Sequence, residues 1–228
     1  MQSRLQREID GLKKKLLSLG AEVEERVRMA VSSVKERDEE LARRVIEGDD
    51  VINEAEVELE EEGLKVLALY QPVAVDLRFI IALLKINNDI ERIGDLAADI
   101  AERTVQLCSM EPGRFGFNYV LMAEKAQEML NQSLDALVNL NVEAAYKVLE
   151  KDQEVDDMHR ASYGLVQEEV MQNPSVFSVL APFLSISKHL ERIADLATNI
   201  AEDVIYLASG EIVRHCGSSS GRDGEGDG

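Results

Sequence analysis

Carboxylates recur along this chain at a spacing that fits cation binding. Residues 91–102 read ERIGDLAADIAE and residues 191–202 read ERIADLATNIAE. Nine of the twelve positions are identical, so the pattern is a duplicated unit rather than a chance acidic run. At 100° per residue, Glu91, Asp95, Asp99 and Glu102 fall within about 80° of one another and stack on one helix face. Glu191, Asp195, Asn199 and Glu202 repeat the arrangement. Like charges at i,i+4 cost a helix a few tenths of a kcal/mol per pair, about the size of a surface ion pair with the sign reversed. A hard cation would turn that repulsion into ligation, because i,i+4 side chains are about 6 Å apart at Cβ and can share one ion or bridge two. Oxygen-only ligation suits Mg²⁺, Ca²⁺, Mn²⁺ or hydrolysed Fe³⁺ and disfavours Zn²⁺ and Cu²⁺. The plainer reading of one stripe is a solvated face with Arg92, Arg103 and Arg192 compensating the charge. Two stripes kept in register argue against it.

A second source of ligands lies upstream. Residues 40–54 (ELARRVIEGDDVINE) align with 143–157 (EAAYKVLEKDQEVDD) at an offset of 103, which pairs Asp49 with Asp152 and Asn53 with Asp156. Adjacent helices in a bundle sit roughly 8–10 Å apart, so flanking carboxylates from two helices can converge. Taken alone, Asp49 after Gly48 reads better as a helix N-cap. His159 lies three residues beyond Asp156 and could add a nitrogen to the second set, although a solvated His is the simpler expectation. Its counterpart is Glu56. Each unit also lacks one charge, Asn53 standing opposite Asp156 and Asn199 opposite Asp99.

These residues need helices to hold them. The repeat offset falls from 103 to 100 near Gln71-Pro72 and Asn173-Pro174, where a helix–helix turn belongs. Each half therefore reads as the same three-helix unit, and the fold class is all-α: two antiparallel three-helix bundles in tandem, six helices in all. The first unit spans 1–108, with helices over about 5–35, 37–70 (broken at Gly48) and 73–107; Pro72 is expected in the first turn of the third. A linker covers 109–117, the second unit 118–209, and the Gly/Ser-rich segment 210–228 reads as a disordered tail. Ile86, Ile90, Ile93, Ala97, Ile100, Thr104 and Leu107 form the core stripe of the third helix, with Ile52, Ala55, Leu59, Gly63 and Val66 on the second. The carboxylates fall roughly opposite, which predicts surface sites. Pro182, where the first copy has Ala82, is expected to kink or interrupt the last helix.

Composition excludes several functions. A net charge of −19 leaves no basic stripe for nucleic acid and disfavours anionic lipid. Two cysteines, Cys108 and Cys216, make neither a disulfide framework nor a zinc site. No Glu-x-x-His motif of the di-iron bundles occurs, and no nucleophile–base set or phosphate loop is evident, so no catalytic residues are assigned. The N-terminus lacks a signal-peptide core and no apolar run is long enough to span a bilayer, which reads as a cytoplasmic protein.

The stretch QPVAVDLRFIIALLKINNDIERIGDLAADIAE, Gln71 to Glu102, with its second copy ending ISKHLERIADLATNIAE, resembles the signature of the PhoU family, and the likeness covers about residues 1–210. The resemblance implies a tandem six-helix bundle without enzymatic activity. It implies a cytoplasmic negative regulator of phosphate uptake and of the phosphate-starvation response, acting with the phosphate ABC transporter ATPase and a sensor histidine kinase. It also implies clusters of metal ions, iron among them, held by the Glu/Asp-x-x-x-Asp motifs. Mg²⁺, Mn²⁺ or Ca²⁺ remain alternatives, and a homodimer is left open. The rival readings are a carboxylate-bridged metalloenzyme or metal-storage bundle, and a structural bundle whose acidic stripes bind nothing.

Overall fold

The computed structural model describes residues 4–110 and 116–209. The expected tail at 210–228 and most of the linker lie outside them. The described residues form seven α-helices: α1 (Arg4–Glu36), α2 (Glu39–Glu47), α3 (Asp49–Tyr70), α4 (Ala74–Cys108), α5 (Tyr119–Asn139), α6 (Val142–Gln172) and α7 (Phe177–Ser209). α2 and α3 are one rod broken at Gly48, so each half of the chain is the expected three-helix unit.

The two units use the same devices to turn. Arg37 and Leu140, at matching places, adopt positive φ of 52° and 49°. The next residues, Asp38 and Asn141, cap the following helices by accepting from Leu41 N and Ala144 N at 2.9 and 3.1 Å, which satisfies one otherwise orphaned donor each. The break at Gly48 has no counterpart in α6, where Lys151 continues the helix. Its cause is Arg26: a Cβ on Gly48 would sit 1.4 Å from the Arg26 guanidinium, which instead donates to the end carbonyls of α2 at Val45 and Arg44.

Two proline expectations are corrected. Pro72 is not in the first turn of α4; Gln71 ends α3 in the left-handed region, and α4 starts at Ala74 after a buried Pro72. Pro182 does not interrupt α7, which is helical from Phe177 onward. It falls early in the helix, where the bond it cannot make is confined to the second turn.

All residues named for the α4 stripe are buried, as are Ile52, Leu59, Gly63 and Val66 on α3, with Ala55 half-buried. The core is one contiguous cluster running through both units. α4 and α7 form its centre and pack on each other, while α1 meets α5 and the rods α2–α3 and α6 lie outside. Lys85 reaches Asp203 at 3.7 Å and His189 reaches Asp99 at 3.7 Å, so α4 and α7 run antiparallel.

Close approach of α3 to α4 sets how near their acidic residues can stand. A Cβ on Gly94 would stand 3.1 Å from Ile52 Cδ1. At the matching places the second unit has Val155 and Ala194, both buried, so one methylene has moved from the outer helix to the central one. The volume at the helix contact is conserved while its distribution is not.

Candidate metal centre

Each carboxylate set is assembled by the turn geometry just described: an outer rod presents i,i+4 acids to the flank of a central helix. In the second unit Asp156 of α6 and Glu191 and Asp195 of α7 each offer an oxygen within 4.8 Å of the others. Asp152 stands beside them and accepts from Thr198 Oγ1 at 3.2 Å. Burial, then Glu191, Asp152 and Asp156, push the Asp195 carboxyl up to about 6. Burial and Asp156 raise Asp152 likewise. Three acids held so close fit a divalent or trivalent cation taking oxygen donors. Glu191 is less exposed than its stripe suggests, with 14% of its side chain accessible, and Lys188 pairs with it.

In the first unit Asp49, Glu91, Asp95 and Asp99 feel one another: burial and mutual repulsion raise the carboxyls of Asp49, Glu91 and Asp95. Asn53 donates weakly to Asp49 at 3.5 Å, and its buried Oδ1 has no hydrogen-bond partner. Glu56 joins this set by raising Glu91. Buried Asn87 fixes it, donating to the Glu56 carboxylate at 3.2 Å and its backbone carbonyl at 2.9 Å. The sequence puts Glu56 on the flanking stripe without marking it as a ligand; its spacing of three from Asn53 is the available signal.

Other expected members stand apart. Glu102 pairs with Arg103. Asn199 and Glu202 line an open cleft of about 1310 Å³ beyond the triad, to which Asp95, Asp99, Asp152, Asp156 and Asp195 also contribute. Two sets expected to be separate thus border one cleft between α4, α6 and α7, with Arg92 and Arg192 at its walls. His159 is neither solvated nor within the triad: its Nδ1 lies 3.0 Å from Ser187 Oγ, half-buried on the α6–α7 seam.

The fold is thus a duplicated three-helix bundle in which each unit carries a cluster of carboxylates. The PhoU domain model matches twice, over residues 16–104 and 119–204. A phosphate-specific transport system accessory protein PhoU homolog of Pseudomonas aeruginosa is 38% identical over 92% of this chain and 87% of its own. One from Aquifex aeolicus is 36% identical over 93% and 96%. The crystal structure of PhoU from Pseudomonas aeruginosa superposes with a TM-score of 0.87 at 36% identity, covering 91% of this chain and all of that one. The phosphate transport system regulatory protein PhoU from Streptococcus pneumoniae gives 0.83 at 30%, covering 93% and all of its own chain. The chain belongs to the PhoU family. The relatives named are accessory and regulatory proteins, not enzymes.

Proposed function

We propose that this chain is a cytoplasmic accessory protein of phosphate transport that represses phosphate uptake and the phosphate-starvation response. It does so by docking to the ATPase of the phosphate ABC transporter and to a sensor histidine kinase. The observation that carries the reading is the double PhoU match together with relatives named for the phosphate-specific transport system. No helix among the described residues is long and apolar enough to cross a membrane, so contact with a transporter would come through protein partners.

The same reading gives the carboxylate sets a role as metal centres. The triad of Asp156, Glu191 and Asp195 supports it, with Asp152 alongside; Asp49, Glu56, Glu91, Asp95 and Asp99 form the other set. Hard, oxygen-seeking ions fit this donor chemistry, with multinuclear iron the favoured occupant and Mn²⁺, Mg²⁺ or Ca²⁺ the alternatives. Ions that join an outer rod to a central helix would stiffen the surface presented to a partner.

Deletion of the gene in its host tests the regulatory half. Phosphate uptake and starvation genes should be switched on in phosphate-rich medium, and the purified protein should bind the transporter ATPase or the kinase. Normal repression in the deletion strain, with no contact to either partner, would remove the reading. Metal analysis of protein purified without chelator tests the other half.

A further inference from the structure

The corner where α3 turns into α4 differs from its repeat counterpart in length, polarity and charge. The fall in repeat offset from 103 to 100 makes it three residues longer than the α6–α7 corner, and residues 71–73 form the connection. Leu69, Val73 and Val75 stand 68%, 75% and 63% exposed there, and Leu77 and Ile81 continue the apolar surface along α4. Where the first unit has Leu69, Val75, Leu77 and Ile81, the second has Gln172, Ser175, Phe177 and Ala181. Phe177 is the one large apolar residue among these four, so only the first corner keeps the run.

Charge separates the two corners as well. Residues 63–88 carry Lys65, Arg78 and Lys85 against Asp76, a positive excess in a chain of −19. Residues 166–188 carry Glu168 and Glu169 against Lys188. Tyr70 Oη reaches Glu8 Oε1 at 3.4 Å, which sets the start of α1 beside the end of α3 and adds the exposed Arg4 and Arg7. None of Arg4, Arg7, Lys65 and Arg78 makes an ion pair with a described residue, and the buried Nε of Arg78 has no hydrogen-bond partner. The chain holds 44 acidic and 25 basic side chains. Cations that stay unpaired amid such an excess, around an apolar surface, are available to something outside the chain.

We propose that the α3–α4 corner is a docking knob for a protein partner whose surface offers an apolar socket edged by Asp and Glu. Leu69, Val73 and Val75 fill the socket, and the unpaired cations face its acidic edge. Removal of the aliphatic centre from water supplies the binding, while the charged rim sets association rate and orientation. A bilayer fits less well. Its anionic plane would meet much of a molecule of charge −19 within a Debye length of about 8 Å, whereas a socket meets the corner alone. The inference rests on the proposed function for the partner's identity only, the transporter ATPase and the sensor kinase being the candidates. Val75 and Glu91 are both on α4, about 24 Å apart at 1.5 Å per residue, so docking is separable from metal binding.

The test is binding of the full-length protein to the purified phosphate transporter and to the sensor kinase of the same host, both in detergent. Vesicles of phosphatidylglycerol and phosphatidylcholine are the lipid comparison. Val73→Asp with Val75→Asp should weaken binding to one of the two proteins by roughly 30-fold or more, the loss expected of a hot spot. Both side chains are mostly exposed, so thermal unfolding and metal content should match the parent. Lys65→Glu with Arg7→Glu should slow association about tenfold at low salt and much less at high salt. Met171→Asp with Phe177→Asp, at the second corner, should bind as the parent does. Unchanged binding by the Val73 and Val75 variant overturns the proposal and leaves the regulatory reading standing, as does an equal loss from the second corner. Binding to the vesicles that this variant abolishes, with its protein contacts intact, also overturns it and makes the corner a lipid anchor. A parent that binds neither protein removes this docking site together with the contacts proposed above.

Discussion

The two acidic sets descend from one pattern yet differ in several of the neighbours that would tune a cation. The first gathers Asp49, Glu56, Glu91, Asp95 and Asp99, with Arg26 beside Asp49 and Arg92 beside Glu91. The second gathers four carboxylates but sets Lys188 on Glu191, where the first unit has Asn88. It places His159 where the first has Glu56, and Ser187 where the first has Asn87. Motif spacing fixes where a carboxylate stands. Charge balance around it, set by residues outside the motif, would decide what a metal site there holds and how tightly. The first set is therefore the richer in anionic donors and the second the more compact.

The largest effect that would break this comparison is removal of one set at a time. Glu91→Ala with Asp95→Ala should lower metal affinity of the first set by at least about 100-fold, beyond the loss from an outer-shell change, and leave the second loaded. Glu191→Ala with Asp195→Ala should do the converse. Metal content by elemental analysis reads both. In the absence of metal each pair should raise stability by a few tenths of a kcal/mol, because i,i+4 repulsion has gone. Unchanged metal in both variants would move the ligands elsewhere.

Proton competition should separate the sets next. Asp195 ionises at about 6 in the folded protein against 3.8 for an unperturbed aspartate side chain, so the folded state binds more protons than the unfolded one between those values. Stability of the metal-free protein then rises as pH falls from 7 towards 4 and is lost again as pH climbs through 6. Asp89, pushed to about 6 by burial and then by Asp203, acts in the same sense. Thermal unfolding in chelator at pH 7 and pH 5 measures this, and Asp195→Asn should flatten it in part. Metal bound at the second set should show the opposite slope and leave as pH drops through 6.

A packing swap offers a smaller effect. Gly94→Ala alone places a methyl against Ile52 and should cost about 1–3 kcal/mol, read by chemical denaturation. Adding Ile52→Val, which by itself costs about 0.5–1.5 kcal/mol, recreates the Val155 and Ala194 pairing and should recover most of the loss. Additive losses in the double variant would mean that the two α-helical contacts are not equivalent.

Helical period and the duplicated string make the fold legible, because stripes such as Ile86–Ile90–Ile93–Ala97 can be buried in only one way. The positions of Asp49, Asp95, Asp156 and Asp195 follow from the same period. What escapes the sequence is relational. Nothing local to α4 and α7 says that they pack antiparallel, so the pairing of His189 with Asp99 and the shared cleft are invisible there. The position of Pro72 escapes because its buried ring lies in the turn itself, with Gln71 taking the left-handed conformation that ends α3. As a residue of one helix His159 reads as solvated, and only the neighbouring Ser187 shows that it is held inside the seam.

The smallest expected effect concerns the break that only the first unit has. Gly48→Ala would force the Arg26 guanidinium out of the space it fills. The conformation of Gly48, φ −88° and ψ −2°, is open to alanine, so no backbone strain arises. Lost bonds to Val45 and Arg44 cost about 0.5–1.5 kcal/mol, while the reduced freedom of the unfolded chain returns about 0.4–1 kcal/mol. Net stability should therefore change by less than about 1 kcal/mol. The informative reading is the metal. Arg26 lowers the Asp49 carboxyl by its charge, and a cation standing beside a ligand also repels the incoming ion. Moving it into solvent, where it is screened, should tighten metal at the first set slightly and leave the second set unchanged. Weaker metal binding would show instead that Arg26 holds α3 in the orientation Asp49 needs, and that the break itself builds the site.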